Sequence, residues 1–297
     1  MNRYIKFSLL LPCVLITMVA SGQSRLQLNV VKYLPNCVVD LNAGPAFTKI
    51  KVDNYSKSMK AKPGFTFGGD ITYYFKTIGK LKTGASLGLG YTHYCSEYSL
   101  DLTRQIQTTD VDNESVTRNE IANNMKETEK AGFLNVPILM HADYTITPKI
   151  DIYVKTGISY SFVMGAGYTS SSVYTATGYY PKYNVTLFDI DIDGSPYFYP
   201  TDKKMNDNND LKMKNNLIIP FGLGVKYKYD EMIVLTAGIN EMLGLRNISG
   251  YSSSASVPII SDDRNFNSIM QESGKARTNA FCIELGVSLN LWNKQSR

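Results

Sequence analysis

Six residues, Asp189-Ile190-Asp191-Ile192-Asp193-Gly194, carry the sharpest spacing for chemistry in this chain of 297 residues. Carboxylates at the first, third and fifth positions, then a glycine, match the opening of a calcium loop, which surrounds a hard cation with oxygen ligands. The twelfth position, where a bidentate glutamate closes such a loop, is Pro200. A hairpin turning at Asp193-Gly194 accounts for the same residues. The histidines are His93 and His141, and Asp143 lies two residues beyond the second, on the same face of a strand. A histidine beside a carboxylate is the minimum for acid–base or nucleophilic chemistry. No serine, histidine and carboxylate constellation can be assembled around either ring, so His141 reads as an interior polar contact. Cys37, Cys95 and Cys282 lack the Cys-x-x-Cys spacing of metal and redox sites. Asn54, Asn113, Asn184 and Asn247 open Asn-x-Ser/Thr triplets, which are common by chance. The expectation is a protein without catalytic residues, cofactor or metal.

The elements that would position any site are best read from the N-terminus onward. Arg3 and Lys6 precede an apolar run from Phe7 to Ala20 and the small residues Ala20-Ser21-Gly22. That order is a secretory signal, because the run falls short of the roughly 20 residues a membrane helix needs. Cleavage after residue 22 would remove two of the +5 formal charges. The remaining Lys and Arg are scattered, which argues against a nucleic-acid surface. Cys13 follows Pro12 and makes a poor lipid-anchor site. Residues 23–36 read as a periplasmic segment and residues 37–297 as one domain.

Within that domain, period-two alternation recurs and is the dominant signal. The quoted stretch "NVPILMHADYTITPKIDIYVKTGISYSF" sets Val136, Ile138, Met140, Tyr144 and Ile146 against Asn135, His141, Asp143 and Thr145. After a turn at Thr147-Pro148-Lys149 the pattern resumes with Ile152, Val154, Ile158, Tyr160 and Phe162. Counting Cys37–Phe47, Gly64–Phe75, Thr83–Ser96, Leu217–Tyr227, Ile233–Ile239 and Phe281–Leu291 as well, there are eight strands. Short connections near 76–81, 147–149 and 229–231 alternate with long polar ones near 50–63, 100–129, 169–214 and 250–274. Short turns at one rim and long loops at the other define an eight-stranded antiparallel transmembrane β-barrel with periplasmic turns and extracellular loops.

A soluble lipocalin-like barrel would also have one apolar face per strand, but its other face should be dense in Lys and Glu. Here that face is mostly Gly, Ser, Thr and Asn with sparse charges such as Asp151, Lys155, Lys226 and Glu284, which suits a filled lumen. Pro45, Pro137 and Pro220 interrupt strands in a closed barrel that has no edge to hide them, and read as interior-facing bulge or bend sites. Glu241 falls on the lipid face, which requires a place near the rim or a bulge that turns it inward. Residues 116–130, rich in Glu, Lys, Asn and Met, read as a short helix in a lid.

"FLNVPILMHADY" with "IYVKTGISYSF", and "LIIPFGLGVKYKY", resemble the PorT-type outer-membrane β-barrel family of Bacteroidetes. The resemblance spans most of residues 37–292. It implies an exported outer-membrane barrel and, for some members, a link to secretion of other proteins, with no catalytic residues. Outer-membrane strands often end on an aromatic residue, whereas here Trp292 is followed by Asn293 to Arg297.

Function is therefore expected at the cell surface, as binding, adhesion or envelope assembly, in contact with outer-membrane lipid and with an extracellular or envelope protein or glycan. Tyr179, Tyr180, Tyr183, Phe188, Tyr197, Phe198 and Tyr199 form the candidate partner-binding loop, since rings with Asn, Ser and Gly nearby make amphipathic contacts at low entropic cost. The alternative from another class is a barrel enzyme acting on lipid or peptide. A diffusion porin would need a wider barrel.

Overall fold

A computed structural model describes residues 36–110, 112–188, 203–253, 257–261 and 265–290. The Asp189–Gly194 motif, Tyr197, Phe198, Tyr199, the secretory signal and the C-terminal tail lie outside the described residues. The strands are β1 (Cys37–Val52), β2 (Met59–Ile78), β3 (Leu81–Thr109), β4 (Ser115–Thr147), β5 (Ile150–Tyr180), β6 (Val185–Phe188), β7 (Lys203–Asp210), β8 (Asn216–Lys228), β9 (Ile233–Gly244) and β10 (Ala276–Asn290). A short α-helix, α1 (Ile269–Ser273), precedes β10, and a single 3-10 turn at Ser56–Ser58 precedes β2. Eight strands pair in the ring β1-β2-β3-β4-β5-β8-β9-β10 and back to β1, each antiparallel to its neighbours. β6 and β7 add to β5 outside the ring.

Closure follows from the alternation, because every strand has one apolar face and a ring leaves no unpaired ladder among its members. The apolar face points outward: Ile71, Leu87, Leu89, Ile138, Met140 and Leu285 are all exposed. The inward face is buried and polar, with Thr72, Ser86, His141, Asp143, Lys155 and Glu284. That arrangement inverts a soluble barrel. On β5 the outward apolar residues run from Ile152 to Met164. Thirteen strand residues tilted by about 40° rise roughly 30 Å, which matches a bilayer's hydrocarbon. Tyr73, Phe75, Tyr144 and Tyr227 ring the turn end of this belt, and Phe65, Phe281, Tyr160 and Phe162 ring the other. Above the second ring exposed charges such as Lys49, Lys126 and Lys130 appear, and Lys62 pairs with Glu97 at 2.7 Å. The protein is thus an eight-stranded outer-membrane barrel, whose closed antiparallel ladder is the form β-structure takes across that bilayer.

The proline positions have a common cause. Beside Pro45 the β1–β10 ladder lacks rungs between Ala43↔Leu285 and Ala46↔Cys282. Beside Pro137 the β3–β4 ladder lacks rungs between Leu87↔Ile138 and Gly90↔Asn135. Beside Pro220 the β5–β8 ladder lacks them between Thr156↔Phe221 and Ser159↔Ile218. The register is the same on both sides of each gap, so these are not bulges: the missing N–H opens the ladder locally on one side while the other side stays paired. Pro45 is exposed on the lipid face and not turned inward, whereas Pro220 is buried. Gly44 sits in the first gap, where a Cβ would come within 1.7 Å of the Ile283 carbonyl oxygen. At the periplasmic rim, β2 and β3 join through Gly79-Lys80, and Gly79 adopts φ 57°, the left-handed conformation tight hairpins require.

The long connections differ most from expectation. Residues 100–109 and 115–129 are strand and not loop, and the helix expected over 116–130 is the outer half of β4. β5 likewise continues to Tyr180 through much of the expected third loop. The three strands form a wall that continues well past the bilayer.

Candidate functional site

Two places concentrate polar chemistry, the lumen and the concave side of the extracellular wall. In the lumen the alternation of β4, β5, β8 and β10 aims opposite charges at one another. Lys155 Nζ donates to Glu284 Oε2 at 2.8 Å, and Asn240 Nδ2 donates to the other carboxylate oxygen at 2.9 Å. Lys226 Nζ donates to Asp143 Oδ2 at 2.7 Å, as does the Tyr74 hydroxyl at 2.6 Å. Lys228 Nζ reaches Asp151 at 2.7 Å. These pairs and the side chains packed between them crowd the bore, where two cavities measure about 60 Å³ and about 20 Å³. The second is large enough for one water-sized occupant.

His141 faces inward, as its parity requires, and its Nε2 lies 2.9 Å from Ser86 Oγ. Asp143 is taken by Lys226 and Tyr74, so the His141–Asp143 pair does not form. His93 is on the outer face, stacked 5.4 Å from Phe65 in the outer girdle, and the two histidines do not meet. Glu241 stays on the lipid face opposite Phe221 and Phe281, three residues from the outer end of β9. Proximity to the rim, and not a bulge, places it there. Cys37, Cys95 and Cys282 are buried free thiols. Asn54, Asn113 and Asn184 each adopt positive φ, so the Asn-x-Ser/Thr triplets mark turns that need a left-handed residue.

Above the bilayer, the concave face of the β3–β4–β5 wall carries Tyr98, Met125, Phe133, Tyr168 and Tyr174, all buried. The connection between β9 and β10 folds against it, burying Ile259, Ile260, Phe266, Ile269 and Met270. Three glutamates of β4 hold that connection. Glu120 Oε2 accepts the Ile259 N–H at 2.7 Å, while Glu120 Oε1 meets Arg118 at 2.5 Å and the Tyr174 hydroxyl at 2.6 Å. Glu127 accepts from Ser268 Oγ at 2.6 Å, from the Ile269 N–H and, across the wall, from Ser170 Oγ at 3.1 Å. Glu129 stands two residues along the same face, within 3.5 Å of Ser268 Oγ, and its Oε2 has no hydrogen-bond partner among the described residues. Burial pushes the Glu127 carboxyl up to about 7. Burial and the Glu127 charge hold Glu129 well above the carboxylate range, so Glu129 keeps its proton at neutral pH while Glu127 is partly ionised. At the far end Glu272 of α1 accepts from Arg104 and Tyr55, and Arg104 Nη2 also donates to the Tyr55 hydroxyl at 2.6 Å. The described part of the connection between β9 and β10 is therefore latched to β3 and β4.

The glutamates escaped the sequence reading, although Glu127-Thr128-Glu129-Lys130 alternates as a strand with one acidic face. Of the candidate binding rings, Tyr180 is buried against Val116, and the Tyr179 hydroxyl reaches Asn184 Oδ1 at 3.0 Å. Tyr183 has an exposed ring, its hydroxyl donates to Glu114 at 2.6 Å, and Lys182 pairs with the same carboxylate at 2.6 Å. These contacts tie the β5–β6 turn to the β3–β4 turn. Phe188 ends β6 and is described only in its backbone.

No family model matches the sequence, and no curated protein matches it. Among solved structures, surface protein A of Neisseria is similar at 10% identity over 86% of this chain and 97% of its own, with a TM-score of 0.35. The attachment invasion locus protein Ail of Yersinia pestis, crystallised with the heparin analogue sucrose octasulfate, is similar at 9% identity over 85% and 99%, with a TM-score of 0.30. The outer membrane protease OmpT of Escherichia coli is similar at 8% identity over 86% and 97%, with a TM-score of 0.36. The class assigned to this chain rests on its own closed ladder and apolar belt.

Proposed function

We propose that the protein is a non-catalytic surface-binding component of the outer membrane, a PorT-type barrel whose extracellular wall presents a docking platform to an envelope or extracellular protein or glycan. The observation that carries this reading is the length of the wall. β5 continues from Met164 to Tyr180 beyond the apolar belt, and β3 and β4 accompany it. Sixteen residues at about 3.3 Å each add roughly 50 Å of strand that the bilayer does not need. Ordered surface of that extent is the kind binding uses, whereas transport would use the bore, which charge pairs and the β9–β10 connection narrow. Photoreactive residues at Gln107 and Tyr183, both exposed, and at Leu87 on the lipid face test the proposal in intact cells. Protein or glycan adducts from the first two with lipid adducts alone from Leu87 support it. Lipid adducts alone from all three positions reject it.

A further inference from the structure

On the outer face, one rung of the β1–β10 ladder pairs Phe47 with Phe281, the next rung of that face pairs Lys49 with Asn279, and the one after it pairs Lys51 with Arg277. The two rings, both lysines and Arg277 are exposed, and Asn279 is half-buried. Successive rungs of one face stand about 7 Å apart, so the outer aromatic girdle gives way to cations within a few residues. Girdle rings sit where hydrocarbon meets headgroup, which puts Lys49, Lys51 and Arg277 at headgroup depth. Like charges directly opposite on a ladder destabilise it, and Lys51 with Arg277 is such a pair.

The neighbouring strands extend the charge. Lys60 faces Glu97 across the β2–β3 ladder, and Glu97 already pairs with Lys62 at 2.7 Å, so one carboxylate meets two ammoniums. On the β3–β4 ladder Lys130 stands opposite Cys95 and Lys126 opposite Ser99, both lysines exposed. Against these seven bases the acids beside them are Asp53, Glu97 and Asp101, which leaves the outer face from β10 to β4 positive. We propose that this belt binds the phosphate groups of outer-leaflet lipid headgroups, with one phosphate held between Lys49, Lys51 and Arg277. A guanidinium offers paired donors to phosphate oxygens, and the two ammoniums add charge around the same anion. The phosphate offsets the cationic rung and ties the foot of the wall to the leaflet, whatever the tip of the wall binds.

The test uses the full barrel, folded and purified in a zwitterionic detergent. It is titrated with bis-phosphorylated lipid A and, in parallel, with the same glycolipid stripped of both phosphates, and the lipid retained is counted by native mass spectrometry. The phosphorylated lipid should bind about tenfold tighter, and the combined variant Lys49→Gln, Lys51→Gln and Arg277→Gln should lose most of that preference. Lys76→Gln with Lys80→Gln, exposed at the opposite rim, should keep it. Equal retention of the two lipids by the parent overturns the proposal, as does an undiminished preference in the triple variant. Displacement of the lipid by an equal concentration of inorganic phosphate also overturns it, because the site would then take a free anion. Should the triple variant lack the heat-modifiable gel mobility of a folded barrel, lysine acetylation of the unaltered protein decides. Protection of Lys49 and Lys51 by the phosphorylated lipid alone supports the site, and equal labelling with either lipid overturns it.

Discussion

At the residue scale the lumen is governed by the cost of isolated charge. Lys155 and Glu284 are both nearly buried and exchange a 2.8 Å hydrogen bond, with Asn240 completing the carboxylate. Removing one partner leaves the other charge without water or counter-ion, which typically costs about 3–5 kcal/mol, whereas removing both can be nearly neutral. Glu284→Gln should accordingly lower the urea midpoint of the folded barrel sharply. Adding Lys155→Met to it should recover most of the loss. A Glu284→Gln midpoint equal to the parent would mean that Lys155 reaches water. The same reasoning explains which site residues were legible in advance. The inward parity of Asp151, Lys155, Lys226 and Glu284 follows from alternation alone, while their partners, three of them more than 70 residues distant, depend on which strands are neighbours.

At the element scale, all eight barrel strands were legible, because lipid on one side and a packed lumen on the other impose a strict period of two. The outer half of β4 was not. Glu, Lys, Asn and Met favour helix as an isolated peptide, but pairing with both β3 and β5 supplies two ladders that override propensity. Alternation was present there, masked by polarity on both faces. That half-strand carries the mouth latch, and its protonation sets a pH dependence. In the folded protein Glu127 is raised to about 7 from an ordinary value of 4.5, so the latched state holds a proton that the released state gives up in between. Latching is then fully favoured below about 4.5 and weakens as pH rises through 7, with Glu129 adding to the same trend from higher pH. Tyr98 lies beside both carboxyls, and Ser170 and Ser268 donate to Glu127. Hydrogen exchange over residues 265–275 should therefore speed up between pH 5 and pH 8 by more than the intrinsic base dependence of amide exchange. Glu127→Gln should flatten the excess. An excess unchanged in that variant would place the titrating group elsewhere.

At the scale of the whole molecule, the asymmetry between short turns and a wall of three overlong strands sets the orientation. Short turns such as Pro148-Lys149 suit the periplasmic side, where the barrel ends close to its apolar belt, and the wall then stands outside the cell. An epitope inserted at Asp112, on the β3–β4 tip, should be labelled on intact cells, and one at Lys149 only after the outer membrane is breached. Labelling of Lys149 on intact cells would invert the topology. The same geometry bears on whether the barrel conducts. The lumen pairs Lys155–Glu284 and Lys226–Asp143 and the packing of Ile259, Phe266, Ile269 and Met270 against the wall both narrow the way through the barrel. In planar bilayers the purified barrel should show no large stable conductance from pH 5 to 6, where the latch is mostly protonated. Releasing the mouth with Arg104→Ala and Glu127→Gln together should still leave conductance small, because the lysine–carboxylate pairs lie below the mouth and are untouched. A porin-sized current in the parent would contradict the filled lumen. One appearing only in the double variant would show instead that the mouth segment, and not the charge pairs, is what closes the bore.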